Sequence, residues 1–462
     1  MINYFNFKRF DDDYLLTNDL GRYMFVSASE LKALLTEKVD PDSDFGKKAI
    51  EEMFWYQGSS QAFSEHTIPY MREGKKYLFS ATSLHIFVVT NKCNMKCVYC
   101  QAQNGKTIPN GIMTRETAQK AVDIALSSPA DYLSFEFQGG EPLLNFDVIK
   151  FIVEYSEKHK GNKHIQYNLV SNLTLINDEI IRFIKENNIG LSTSLDGNEN
   201  VHNHNRRYRN QQGTYSDVTK FITKAREYGI YVGAIQTTTR YSLSYAKEII
   251  DTYNSLKMES VFIRPLTPLG CANKNWREIG YTPEEFIAFY KKCFEYIIEL
   301  NKQGYSLKEG HASILLQKIL SGSPVDYMEL RSPCGAGIGQ MAYYFDGNIY
   351  TCDEGRMLAE MGDDSFKLGD VFENNYDDLM NCDNCKAACI ASTLESLPQC
   401  SDCVYSPYCG TCPVVNLALQ KNIFMKEPNS YRCRVYQGIL DIIFSALKNP
   451  ENRQILTKWI QG

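Results

Sequence analysis

The sequence lacks what would place it in a membrane or on a nucleic acid. No apolar run approaches the roughly 20 residues that a bilayer-spanning helix needs. Charge of neither sign dominates: 49 lysines and arginines stand against 55 aspartates and glutamates, for a formal net charge of −6, with both signs interspersed. Without a basic field to attract a polyanion, neither nucleic acid nor membrane is expected as a partner. The opening stretch, MINYFNFKRFDDDYLL, lacks the basic-then-apolar order of a secretory signal, so a cytoplasmic location is expected. Internal repeats and low-complexity tracts are absent too, which excludes solenoid and compositionally disordered architectures. A chain of 462 residues, 44% hydrophobic and 12% aromatic, has enough apolar side chains for two to four packed domains.

Cysteine is abundant instead. There are 15, and 10 of them follow residue 330. Cytosolic thiols stay reduced, so this gradient points to metal rather than to disulfides.

Element patterning divides the chain into six parts. Residues 1–56 hold strand-like runs (FNFKRF, YLLTND, YMFVS) broken by DDD and DLG turns, then two helices. Residues 57–83 read as a linker. Over 84–280, six strands (LHIFVVT, YLSFEFQ, IQYNLV, GLSTS, IYVGAIQ, SVFIRPL) alternate with helical stretches, the pattern of parallel βαβ units in an open sheet or partial barrel. In barrels of this kind the chemistry gathers at the C-terminal strand ends. Residues 281–330 read as a helical bridge, 331–440 as a cysteine-rich unit, and 441–462 as a closing amphipathic helix.

The stretch CNMKCVYC puts Cys93, Cys97 and Cys100 directly after the first of those strands. A zinc site needs four ligands, and no fourth Cys or His lies nearby in sequence. Three thiolates can hold a [4Fe–4S] cluster while one iron stays open to a substrate or cofactor. The spacing C-x3-C-x2-C, with an aromatic before the last cysteine, resembles that of the radical S-adenosylmethionine superfamily. The resemblance implies that S-adenosylmethionine chelates the open iron and yields a 5′-deoxyadenosyl radical on one-electron reduction. It also implies a partial (β/α)6 TIM-like barrel, with further cofactor residues matched position by position. GGEP (Gly139, Gly140, Glu141, Pro142) would approach the methionine amino group. Ser171 and Asn172 would contact the ribose, with Leu173 where the family usually has glycine. Ser194 and Asp196 would add polar contacts, Tyr99 would pack on adenine, and Arg206 would pair with the carboxylate, with Arg207 as its competitor.

The C-terminal cysteines resemble the SPASM auxiliary domain. Cys334 precedes Gly347-x4-Cys352, then comes Cys400-x2-Cys403-x5-Cys409-x2-Cys412, and finally Cys433. The last gap of the quartet is two residues (CGTC) where the family has three. The family scheme implies one or two auxiliary [4Fe–4S] clusters: an outer one on Cys400, Cys403, Cys409 and Cys433, and an inner one on Cys334, Cys352 and Cys412. Taken alone, the quartet also suits a zinc ribbon. Cys382, Cys385 and Cys389 would share one helix face and either complete the inner cluster or pack as buried thiols. Cys271 and Cys293 read as structural. Asp353, in TCDEG, matches a proton acceptor of peptide-oxidising relatives, and a solvated turn aspartate is its alternative.

The whole chain therefore resembles a radical S-adenosylmethionine/SPASM peptide maturase, closest to the radical maturase of the His-Xaa-Ser peptide system. The resemblance implies that the N-terminal unit is a winged-helix-like domain binding the leader of a ribosomally made precursor peptide. A flavodoxin or ferredoxin would supply electrons. A cyclophane-type carbon–carbon crosslink is the favoured product, and thioether or sulfatase-type formylglycine formation are alternatives. A non-catalytic peptide-binding or electron-transfer protein is a third reading, against which the intact CNMKCVYC and GGEP weigh.

Overall fold

A computed structural model describes residues 1–102, 111–322, 325, 327–424 and 430–461. Its smaller sheet is an antiparallel meander of β1 (Asn6–Phe10), β2 (Asp13–Thr17) and β3 (Tyr23–Val26). Ser27 ends β3 and caps the helix Ala28–Leu35 through a capping box. Its Oγ accepts the Glu30 N–H at 3.3 Å, and its own N–H donates to Glu30 Oε2 at 2.7 Å. One face of the meander buries Leu16, Met24 and Val26 beneath Leu31, Leu34 and Phe54. On the other face Tyr23 and Phe25 meet the Phe444 ring, with centroids 5.3 and 6.3 Å apart. Both faces of this small sheet are thus covered, one by its own helices and one by the C-terminal helix.

Residues 57–83 are not a plain linker. They carry the helix Ser60–Gly74, capped by Ser59, with Pro69 inside it and Thr67 as its buried residue. Proline reads as a helix breaker, and a mostly exposed helix shows no apolar stripe, so neither usual signal marks this element.

The large sheet has ten strands. Six lie side by side in chain order, all parallel: β4 (Leu84–Thr90), β5 (Tyr132–Gly139), β6 (His164–Val170), β7 (Gly190–Ser194), β8 (Val232–Thr237) and β9 (Ser260–Arg264). Right-handed crossovers between sequential neighbours put every connecting helix on one face. That face holds the main core, where Phe87, Val89, Phe135 and Phe137 pack with Ile152, Ile181 and Ile249. On β5 the opposite face is polar, with half-buried Ser134, Glu136 and Gln138 alternating with buried Leu133, Phe135 and Phe137. We call this face the lumen.

The sheet does not stop at the six expected strands. β10 (Lys308–Glu309), from the expected helical bridge, adds in parallel to β9. β11 (Gln340–Tyr344), from the cysteine-rich unit, pairs in parallel with β4, and β12 (Asn348–Tyr350) and β13 (Lys367–Asp370) follow antiparallel. Ala342 and Tyr344 share a core cluster with Ile86 and Val88. The cysteine-rich unit therefore continues the sheet rather than hanging from it. The boundary placed at 440/441 also falls inside an element, because one helix spans Tyr431–Lys448 and a second spans Pro450–Lys458. The single helix expected around Cys382 is two, Tyr376–Asn381 and Asp383–Ser392, broken where Cys382 is extended at φ −69° and ψ 153°. Among the described residues no helix is long and apolar enough to cross a membrane.

Candidate functional site

The loop after β4 brings Cys93, Cys97 and Cys100 together. Backbone bonds hold it open against the segment after the helix Glu199–Asn205: Lys96 N–H donates to Arg207 O at 2.8 Å and Val98 N–H to Asn205 O at 2.9 Å. The Arg209 Nε–H donates to the Cys93 carbonyl at 2.7 Å. Burial pushes the Cys93 thiol up to about 12, with Cys97 adding to it, and Cys100 is raised in the same way beside both. Thiols this close and this buried stay protonated until a metal takes the proton's place. Among the described residues no three ligands are spaced for a single ion. Cys271 also borders the loop, its N–H donating to Cys100 O at 2.8 Å, a closeness that spacing in sequence gave no hint of.

The polar residues at the neighbouring strand ends form one connected cradle. Gly139 and Gly140 are required by close backbone approach: a Cβ at either would stand 2.3 Å from the carbonyl oxygen of Thr90 or Lys92. Their role visible here is to seat GGEP against the cysteine loop, where Glu141 N–H donates to Lys92 O at 2.8 Å. Pro142 opens the short 3-10 turn that follows. The Glu141 side chain is fully buried and braces two strand ends. Its Oε1 accepts from Leu143 N at 3.1 Å and Ser171 Oγ at 2.8 Å, and its Oε2 accepts from Asn172 N at 2.8 Å. Asn172 Nδ2 donates to Asn94 Oδ1 at 2.8 Å, and Asn94 Nδ2 donates to Thr174 Oγ1 at 2.8 Å, which ties this strand end to the cysteine loop.

Tyr99, Asp196 and Arg206 form a buried trio. The Tyr99 hydroxyl donates to the Asp196 carboxylate at 2.9 Å and accepts from Arg206 Nη1 at 2.8 Å. Burial pushes Asp196 up to about 6, against the opposing pull of Arg206 and Tyr99. Arg206 Nε is buried with no partner among the described residues. An orphaned, positively charged donor in this cradle fits a ligand that carries a carboxylate, as an amino-acid-derived cofactor does. Arg207 is exposed and bonds Asn203 O at 2.6 Å, so Arg206 is the arginine that faces the site. Ser194 ends β7 on the face opposite buried Leu191.

Leu173, where the family pattern has glycine, sits at φ 64° and is fully buried. The left-handed conformation costs a non-glycine residue about 1–2 kcal/mol. The buried side chain offsets this, since truncating a buried leucine costs about 2–5 kcal/mol. Leu173→Gly is therefore expected to lower the thermal midpoint of the protein. A rise in a melting experiment would mean that strain outweighs packing here.

Across the lumen, Glu136 on β5 and Arg264 on β9 share a field with the start of the helix Asp353–Glu360. Asp353 pairs with Arg356, whose Nε donates at 3.2 Å and whose Nη2 is closer. Arg356 is almost wholly buried, so Asp353 is no solvated turn residue. Glu354 lies 3.7 Å from Arg264. Burial pushes its carboxyl up to about 7, with Glu329 and Asp353 adding and Arg264 opposing.

The C-terminal cysteines gather at two spots. Cys334, Cys352 and Cys412 share one buried cluster. Cys352 caps the helix Asp353–Glu360, its Sγ accepting from Gly355 N at 3.3 Å, and Cys412 opens the helix Pro413–Gln420. Burial raises all three thiols, and Glu354 raises each of them further. Cys400, Cys403, Cys409 and Cys433 line a second spot, a cavity of about 40 Å³ shared with Arg432 and Tyr436. Within the two-residue CGTC gap, Gly410 passes so close to Glu329 that a Cβ would stand 2.0 Å from its carbonyl oxygen. Of the helix Asp383–Ser392, Ala388 belongs to the Cys334 cluster, whereas Cys385 packs in the main core and bonds Cys389.

Residues 87–252 match the family model described as the Radical SAM superfamily. The chain is 34% identical over 198 residues to the uncharacterized protein MJ0907 of Methanocaldococcus jannaschii, covering 43% of this chain and 65% of that relative's length. It is 26% identical to the cysteine-type anaerobic sulfatase-maturating enzyme of Clostridium perfringens strain 13, covering 80% of this chain and 98% of that one. Its fold is similar to the solved structure of native anSMEcpe with bound AdoMet and Cp18Cys peptide, with a TM-score of 0.67 at 22% identity, covering 81% of this chain and 99% of that one.

Proposed function

Because this chain is a radical S-adenosylmethionine enzyme of the SPASM maturase type, we propose that it oxidatively crosslinks side chains of a ribosomally made precursor peptide. The favoured product joins an aromatic ring to the β-carbon of a nearby residue, a reading supported by the sequence resemblance to the His-Xaa-Ser maturases. The large sheet is read as a partial (β/α)6 barrel. The N-terminal meander with its helices is read as a winged-helix-like unit that holds the leader.

Cys93, Cys97 and Cys100 would hold the [4Fe–4S] cluster, and Arg206, Asn172, Ser171 and Asp196 would hold S-adenosylmethionine. When bound, that pair supplies a 5′-deoxyadenosyl radical, which takes one hydrogen atom from an unactivated carbon. The chain's own work is to orient both partners and to receive what leaves next. A crosslink also expels a proton and an electron. The observation that supports the reading is the pairing of Asp353 with buried Arg356 beside Glu136 of the lumen, where a carboxylate could accept that proton. Cys400, Cys403, Cys409 and Cys433 would hold an outer auxiliary cluster and Cys334, Cys352 and Cys412 an inner one, acceptors for the electron. A flavodoxin or ferredoxin would be the external donor.

The similarity to a cysteine-type sulfatase-maturating enzyme favours a second reading, oxidation of a peptide cysteine to formylglycine. Mass spectrometry of a co-expressed precursor separates the two. A product short of two hydrogens with every cysteine intact is expected. A product that has lost sulfur would replace the crosslink with the formylglycine reading.

A further inference from the structure

The two sulfur-rich spots are bridged by one side chain. Arg432 lines the cavity of Cys400, Cys403, Cys409 and Cys433. It also lines a second cavity of about 40 Å³, which Cys412 shares with Arg264, His311, Glu329 and Glu354. Its own neighbour Cys433 belongs to the outer set, and the turn from Cys409 to Cys412 passes directly over it, with Arg432 Nε donating to Gly410 O at 3.4 Å. Nη1 donates to Glu329 Oε2 at 3.1 Å, and the guanidinium lies 4.3 Å from the centroid of the Tyr436 ring. Nη2 is buried and has no partner among the described residues. Three of its faces are thus fixed, and the fourth is a charged donor left over between two groups of thiols.

We propose that Arg432 is a potential-setting residue, a single cation clamped by Glu329, Tyr436 and Gly410 that biases the reduction potentials of both auxiliary clusters. The inference rests on the reading that both spots hold [4Fe–4S] clusters. Cluster potentials follow net charge and hydrogen bonds to sulfur. A nearby cation stabilises the reduced, more negative form and so raises the potential. A guanidinium suits the place because it stays charged when desolvated and presents donors in several directions at once. Glu329 has the opposite sign and partly cancels that charge, so the net field is that of the pair.

The pair gives a test with two signs. Anaerobically reconstituted full-length protein is titrated electrochemically and followed by electron paramagnetic resonance, with S-adenosylmethionine added to mark the signal of the radical cluster. Iron per chain and circular dichroism are measured alongside. Arg432→Gln is expected to shift the auxiliary midpoints to more negative values at unchanged iron. Glu329→Gln, which frees the cation from its counter-charge, is expected to shift them to more positive values. Arg432→Lys should move them less than Arg432→Gln. A purely structural clamp would not give shifts of opposite sign. Unmoved midpoints in both glutamine variants at full iron would overturn the proposal. Loss of iron in both would overturn it too, by reducing Arg432 to a packing role. A parent protein with iron for one cluster alone would instead remove the auxiliary-cluster reading, and the inference with it.

Discussion

Replacing Cys93, Cys97 and Cys100 together by alanine is expected to abolish 5′-deoxyadenosine formation while the auxiliary iron stays in place. All three thiols sit on one loop, and the bonds that shape it are mostly backbone: Lys96 and Val98 donate to Arg207 and Asn205, which alanines leave untouched. The other cysteines of the scheme come from separate elements: the turn before β11, two helix starts, the 400–409 loop and the helix Tyr431–Lys448. Iron per chain should therefore fall from about 12 to about 8, the loss of one cluster of three. Retained cleavage of S-adenosylmethionine in the triple variant would remove the loop from the chemistry. Loss of all iron would show that the three sites fold as one.

Asp353→Asn is expected to leave that cleavage largely intact and to cut crosslinked product by about 10²–10⁴-fold, the usual contribution of a positioned base. Asparagine is the better replacement because Arg356 lies almost wholly buried beneath it. Alanine would leave a buried charge without its partner, a change that costs about 3–5 kcal/mol. The amide keeps an oxygen for the guanidinium and loses the proton affinity. Glu354→Gln is the companion variant, since Glu354 faces Arg264 in the same lumen. Product that vanishes with Glu354 and survives without Asp353 would move the base by one residue.

How much of this could be read from sequence depended on whether a feature is local. The cysteine loop was legible because three thiols and the preceding strand lie within 17 residues, from Leu84 to Cys100. The order of β4 to β9 was legible because each strand carries an apolar run between helical stretches. Arg206 was preferred to Arg207 on the family resemblance alone, since adjacent residues in an extended segment point opposite ways and only packing decides which is buried. The helix Ser60–Gly74 was missed because Pro69 reads as a breaker. The join of β11 to β4 is a pairing across about 250 residues, which no local pattern announces. The titratable groups around Arg432 come from still more distant places: Arg264 ends a strand, His311 starts a helix, Glu329 sits in a short 3-10 turn and Glu354 lies in the helix that Cys352 caps. Each looks like an ordinary surface charge until the chain folds.

The central claim is that a radical formed at the Cys93, Cys97 and Cys100 loop takes hydrogen from a peptide side chain. The most direct measurement uses the precursor peptide deuterated at its side-chain carbons, with the reconstituted enzyme, S-adenosylmethionine and a reductant. Mass spectrometry then reads the isotope content of the 5′-deoxyadenosine. Deuterium in 5′-deoxyadenosine, appearing together with a peptide that has lost two hydrogens, is the predicted result. Modified peptide beside 5′-deoxyadenosine that carries no deuterium would contradict the account.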